Sequence, residues 1–265
     1  MLNIVAIGDI VGSTGRAVFK KVKTQIDQQY KPDLFIVNGE NASGGIGITP
    51  ETADQLFNQG VDIITSGNHI FKYKSILDYL DSSTAILRPM NYPDGVPGTG
   101  CRIIEIKETR LAVINLCGRV FMDDGFQSPF EILAQQVEKL RSEGVINIIV
   151  DFHAEATSEK KALAYFQDGK ISLLYGTHTH VQTSDENILP GGCGYISDIG
   201  FSGSTNSVIG MNSKAVLKKF LTMLPSRFEV GKENPCELNG IYCKIDEKTG
   251  KTIAIERIKI KDIKV

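Results

Sequence analysis

Asp9, Glu40, Asn41, Asn68, His69, His153, His178 and His180 are the residues whose types and positions could do chemistry. Asp9 follows the apolar run NIVAIG, Glu40 and Asn41 follow LFIVNG, and Asn68 and His69 follow DIITSG. His153 follows VINIIVDF, and His178 and His180 follow ISLLYGT. The chain has only four histidines and all four stand just past such runs, where chance would scatter them over loops and helix surfaces. In open α/β sheets a ligand binds outside the carboxyl ends of the strands, so five strand ends carry metal-competent side chains on what reads as one rim. Carboxylate, amide oxygen and imidazole nitrogen form a shell without thiolate, which suits Mn, Fe or Zn better than Cu(I) or an iron–sulfur cluster. Six or seven such donors exceed one tetrahedral site and fit two ions about 3.5–4 Å apart that share a carboxylate. Two ions so placed lower the pKa of a bridging water and clamp both oxygens of an in-line displacement at phosphorus. The pattern predicts a dinuclear-metal phosphoesterase.

Each residue also has a plainer reading. Asp9 could cap the helix that follows it, and Asn41 and Asn68 could be turn residues, since Asn tolerates the left-handed region. A lone histidine is more often a hydrogen-bonded core or surface residue than a ligand; His178-x-His180 after a strand, with acidic and amide ends nearby, is not a lone histidine. Ser43-Gly44-Gly45 could present backbone N–H groups to a phosphate, or be a turn. Arg119, just past LAVINLCG, could contact a phosphate, or be a surface arginine. Gly8, Gly12 and Gly15 with Arg16 echo a dinucleotide loop, but the spacing is wrong and no acidic ribose anchor follows about twenty residues on. Tight helix–strand packing explains these glycines better.

The elements that must position these residues are short β-branched runs alternating with amphipathic stretches. Strands are predicted at Asn3–Ile7, Leu34–Val37, Val61–Thr65, Arg102–Ile106, Leu111–Leu116, Val145–Val150, Ile171–Tyr175 and Tyr195–Ser197. Helices are predicted at Gly15–Gln29, Pro50–Asn58 with Thr49 as its cap, Lys74–Leu80, Phe130–Glu143, Ser158–Phe166 and Ser213–Met223. Glu237–Ile245 and Thr252–Ile260 read as a closing hairpin around Glu247-Lys248-Thr249-Gly250. The early βαβα rhythm predicts a mostly parallel sheet, and the hairpins add antiparallel strands. A helix–sheet–sheet–helix α/β sandwich accommodates both. No linker or repeat interrupts residues 1–265, so one domain is expected.

Composition narrows the rest. With 29 basic and 31 acidic residues interspersed, there is no basic field to hold duplex nucleic acid; a single small nucleotide remains a fitting ligand. Five scattered cysteines without a C-x-x-C pair argue against a disulfide framework and a cysteine zinc knuckle, and fit a reducing, cytoplasmic setting. MLNIVAIGD lacks a basic leader region and reads as a strand. No apolar run approaches the roughly 20 residues needed to cross a bilayer.

At Gly67-Asn68-His69 and His178-Thr179-His180 the sequence resembles the metallophosphoesterases of the calcineurin-like superfamily, and most closely their YmdB-like bacterial phosphodiesterase branch. IGDIVGSTGR, IVNGENASGGIGIT, GNHIF, LCGRVFM, DFHAEATSEK, YGTHTHVQT, SDIGFSGSTNSVIG and LNGIYCKIDEKTGK carry that resemblance, in order, over nearly the whole chain. The wider superfamily has D-x-H where this chain has Asp9-Ile10-Val11, and G-D-x-x-D where it has Gly39-Glu40-Asn41; the branch is similar to this chain in both respects. Ser128 stands where the branch usually has Asn. The resemblance implies one metal on Asp9, Glu40, Asn41 and His180 and a second on Glu40, Asn68, His153 and His178. It places His69 over the phosphate, to stabilise the transition state or protonate the leaving oxygen. It further implies iron or manganese, hydrolysis of small cyclic nucleotides, notably 2′,3′-cyclic ones, and assembly into oligomers, although no coiled-coil heptads are present. A phosphomonoesterase or nucleotidase is the rival within enzymes, since mono- and diesters use the same metal core. A metal- or nucleotide-binding regulatory protein with weak catalysis is the rival outside them.

Overall fold

The apolar runs of the first seventy residues become parallel strands buried on both faces. The structure, a computed structural model, describes residues 1–122 and 125–265. β1 (Leu2–Ile7) is followed by the two-residue β2 (Asp9–Ile10), α1 (Gly12–Tyr30), β3 (Leu34–Asn38), α2 (Pro50–Phe57), β4 (Ile63–Thr65) and α3 (Ile76–Ser82). β5 (Cys101–Ile106) and β6 (Thr109–Cys117) form a hairpin, then come α4 (Pro129–Ser142), β7 (Asn147–His153), α5 (Thr157–Gln167) and β8 (Leu173–Thr177). β9 (Asn187–Ile188), β10 (Gly194–Ile196), β11 (Phe201–Ser204), α6 (Ser213–Thr222), β12 (Cys236–Asp246) and β13 (Lys251–Ile263) complete the order.

The first sheet runs β2-β11-β12-β1-β3-β4, with β13 paired to β12; β1, β3 and β4 are parallel, and β12 is antiparallel to β1. The second runs β5-β6-β7-β8-β10-β9, parallel from β6 to β10. Side chains alternate along each strand. Ile4 and Ala6 of β1 pack between the sheets with Ile36, Val113, Ile149 and Tyr175. Val5 and Ile7 face outward onto Phe19, Val22 and Ile26 of α1. Leu133, Val137 and Leu140 of α4 and Leu163 of α5 cover the far face of the second sheet. The order of layers is therefore helix, sheet, sheet, helix, as expected.

The sequence-based boundaries need small corrections. β4 begins at Ile63, not Val61, whose amide bonds back to the Leu56 carbonyl of α2. α1 begins three residues before Gly15, where a Cβ would stand 2.4 Å from the Ser202 carbonyl oxygen; close packing against β11 explains this glycine. The short strands β2, β9 and β11 lack an apolar run long enough to read; pairing partners distant in sequence define them. Among the described residues no helix is long and apolar enough to cross a membrane.

Burial pushes the Cys101 thiol up to about 11 and that of Cys243 up to about 12, and raises Cys193 as well. Reaction with alkylating reagents needs thiolate. Native protein at pH 8 is expected to leave these three cysteines unmodified by iodoacetamide for hours, while guanidinium-unfolded protein labels them within minutes; peptide mass mapping reads both.

Candidate metal centre

The carboxyl ends of the two sheets meet, and each sheet brings different donors. Asp9, fully buried in β2, lies with Oδ1 3.2 Å from Asn41 Nδ2 and 3.5 Å from His180 Nε2, and its Oδ2 accepts the His178 amide at 3.3 Å. It does not cap α1, whose cap is Val11. Burial would raise the Asp9 pKa, but the charge and hydrogen bond of His180, with His153, outweigh it and hold the carboxyl well below the carboxylate range. Glu40, also fully buried, accepts the Gly67 amide at Oε2 and the His69 amide at Oε1, each at 2.5 Å. Its Oε1 is also 2.9 Å from His69 Nδ1 and 3.8 Å from His153 Nε2. Gly67 is required there: a Cβ would stand 2.2 Å from His153 Cδ2.

Three imidazoles are turned by outer partners so that one nitrogen of each faces inward. Thr177 gives its hydroxyl proton to Asp151 at 2.8 Å, so its oxygen accepts from His153 Nδ1 at 2.9 Å, leaving Nε2 as the inward atom. Glu155 lies 3.2 Å from His178 Nε2, which turns His178 Nδ1 inward, 3.1 Å from His153 Nε2. The Ile209 carbonyl accepts from His180 Nδ1 at 2.7 Å and turns Nε2 toward Asp9 and Asn41. Burial lowers the pKa of His153 and His178, which favours the neutral form that ligates metals. Burial also opposes charge on His180, but Asp9 overcomes it and raises that pKa.

A buried framework fixes the loop that carries His178 and His180, both in the left-handed region at φ 100° and 63°. Lys160 and Asp198, each 1% exposed, pair at 2.9 Å. Lys160 also donates to the Thr177 carbonyl, and Asp198 accepts the Thr179 and Gly200 amides. Below His153, Asp151 accepts from Thr65, Thr177 and Asn38, joining the two sheets; burial raises its pKa to about 7 despite these bonds. Arg16 donates to the Ala42 carbonyl and ties the Glu40–Asn41 loop to α1.

Among the described residues no three His, Cys, Asp or Glu side chains stand ready as one coordination group; the donors hydrogen-bond one another and backbone amides instead. The donor set still fits cations. The inward nitrogens of His153 and His178 face each other at 3.1 Å, an arrangement that needs a proton or cation between them. The buried Asn68 Oδ1 meets no hydrogen-bond donor among the described residues, and such an oxygen costs stability unless something satisfies it.

These residues open onto a cleft of about 770 Å³. Its lining includes the polar Asn41, His69, Glu155, His178 and His180 and the apolar Ile209, Met211, Phe220 and Phe228. Asp9, Glu40, Asn41, His153, His178 and His180 are joined by these contacts, His69 stands on the wall, and Asn68 lies between Gly67 and His69, whose amides Glu40 accepts. Ser43 and Arg119 do not line the cleft. The Ser43 hydroxyl bonds Thr52 and accepts the Thr49 amide at the start of α2, and Gly44 and Gly45 take its place on the wall. Arg119 is exposed, its amide held by Glu159. Ser128 caps α4. Sequence reasoning missed Glu155, Asp151, Thr177, Lys160 and Asp198. Lys160 and Glu155 look like surface charges of an amphipathic stretch; that they follow the strand-end His153 by seven and two residues is the signal that could have found them.

A family model described as YmdB-like protein matches residues 5–258. The chain belongs to this family. It is 43% identical over 264 residues to the 2′,3′-cyclic-nucleotide 2′-phosphodiesterase of Bacillus subtilis, covering 98% of each chain. The crystal structure of a novel phosphatase from Mycoplasma pneumoniae superposes with a TM-score of 0.92 at 34% identity, covering 99% of this chain and 94% of that one. The NAD nucleotidase of Haemophilus influenzae shares the fold alone, with a TM-score of 0.60 at 16% identity over 97% of this chain and 55% of its own.

Proposed function

We propose that this YmdB-like chain is a metal-dependent phosphodiesterase that hydrolyses small nucleotide phosphodiesters, 2′,3′-cyclic nucleotides above all. The observation that carries this reading is the set of three imidazoles, each held by an outer acceptor with one nitrogen aimed at Asp9, Glu40, Asn41 or another imidazole. The name of the Bacillus subtilis relative supports the choice of substrate. Asp9, Glu40, Asn41 and His180 would hold one cation, and Glu40, Asn68, His153 and His178 a second; an all-oxygen-and-nitrogen shell favours manganese, iron or zinc. Bound there, two cations supply a water of lowered pKa and offset charge on the phosphoryl oxygens.

The chain's own residues do the rest. His69 stands on the cleft wall with its ring oriented by Glu40 at Nδ1, so Nε2 is the atom that gives a proton to the leaving oxygen. Asp151 and Thr177 fix the His153 tautomer; Glu155 fixes that of His178. His69→Ala is expected to keep both metal equivalents and lower kcat by about 10²–10⁴-fold. Elemental analysis that found both metals lost would make His69 a ligand instead. Adenosine 2′,3′-cyclic phosphate and the 2′- and 3′-monophosphates, assayed in parallel, test the reaction class: the diester is expected to be turned over and the monoesters to accumulate. Faster release of phosphate from the monoesters would overturn the reading in favour of a nucleotidase.

A further inference from the structure

Part of the cleft lining differs from the residues around Asp9 and Glu40. Ile209, Met211, Val216, Phe220 and Phe228 line it, and Lys219 is its one charged side chain among the described residues. Phe220 is 73% exposed and Ile209 50%. Lys219 Nζ lies 4.9 Å from the centre of the Phe228 ring and fixes that ring at the wall.

Ile209 is also held against its own preference. The Val208 and Met211 backbones bond each other in both directions, at 2.8 and 2.9 Å, around the two-residue turn Ile209-Gly210. Both central residues have positive φ, 47° and 93°. A turn of this kind favours Asn-Gly, because a β-branched side chain is strained in the left-handed region. Strain of this sort persists where the surroundings use it. Here the Ile209 carbonyl fixes His180, while its side chain is presented to the cleft. The carbonyl would serve equally from Asn; only the cleft contact calls for an apolar side chain.

We propose that Ile209, Phe220 and Phe228 form the subsite for the heteroaromatic base of a nucleotide whose phosphate lies at the candidate metal centre. This rests on the phosphodiesterase reading above and adds to it the part of the substrate that gives affinity. Aromatic side chains bind any base through its π face. Among the described residues, Lys219 is the charged group this part of the wall offers to a base edge, and stacking area favours purines.

The test pairs adenosine 2′,3′-cyclic phosphate with glycerol 1,2-cyclic phosphate, which has the same five-membered cyclic diester and no base. Phe220→Ala and Phe228→Ala are each expected to lower kcat/KM for the nucleotide by roughly tenfold while changing that for the glycerol diester less than about twofold. Ile209→Asn, which relieves the turn, is expected to melt at or above the wild-type temperature, which a merely structural isoleucine would not. Equal losses on both substrates, or no loss on either, overturn the subsite. Wild-type protein that hydrolyses neither diester refutes the phosphodiesterase reading, and the subsite is then judged by binding. Calorimetry on metal-loaded protein should show adenosine 3′-monophosphate binding more tightly than inorganic phosphate, with Phe220→Ala removing most of the difference. Equal binding of the two by wild type overturns the subsite on its own.

Discussion

Glu40→Gln is expected to lower kcat/KM by at least about a thousandfold and to reduce bound metal from two equivalents per chain to one or none. Glu40 is the carboxylate common to both proposed cation positions, and its replacement removes a full negative charge from between them. The amide is also mismatched in place. Both Glu40 oxygens accept backbone N–H groups, those of Gly67 and His69. Whichever way the glutamine side chain is turned, its NH₂ group meets one of these donors. That mismatch costs about 1–3 kcal/mol. It is offset in chelator-treated protein, because burial already makes the Glu40 charge unfavourable and raises its pKa. The variant should therefore unfold in urea close to wild type when both are stripped of metal, and well below it when both are loaded. Wild-type turnover with full metal occupancy would remove Glu40 from the bridging position.

Lys160→Met should destabilise the fold by about 3–5 kcal/mol, because removing one partner of a buried ion pair leaves the other charged and unsolvated. Asp198 is the partner, and burial already raises its pKa despite the ammonium beside it. The loss should extend to metal affinity, since the same pair holds the Thr177 carbonyl and the Thr179 amide on either side of His178. Adding Asp198→Asn to Lys160→Met should restore part of the stability by removing the stranded charge. An exposed pair provides the scale: Arg257→Met, which breaks the bond to Glu186, should cost less than about 1 kcal/mol. Urea midpoints for the four proteins separate the two cases. If Lys160→Met costs no more than Arg257→Met, the buried pair is not what holds the histidine loop.

The strands that end in Asp9, Glu40, Asn68 and His153 could be read because each is a run of β-branched residues covered on both faces, which leaves a continuous apolar signal. Their polar ends stand out against it. The same logic explains what was hidden. Phe201–Ser204 is a central strand of the first sheet, yet FSGS has no hydrophobic period and depends on Leu238 and Asp9 as neighbours. Lys160 lies on a helix whose sequence gives every charged residue the same appearance, and its buried partners, Thr177 and Asp198, are 17 and 38 positions away. Ser43 and Arg119 had the right chemistry for a phosphate, but local bonds turn Ser43 toward α2, and Glu159 holds the backbone of Arg119. The strain at Ile209 is a property of backbone angles and has no compositional trace.

Asp9, Glu40, Asn41 and Asn68 belong to the sheet begun by the first third of the chain, whereas His153, His178 and His180 arrive with the other sheet. Neither set of donors is complete by itself. Cations held as proposed would bind only after the layers have come together, so their affinity would be added wholly to the joined state and withheld from every intermediate with the layers apart. A nascent chain stalled before Asn147 would carry the carboxylates and amides yet have no imidazole but His69 to match them, and starvation for metal would then be felt first as loosening along the seam.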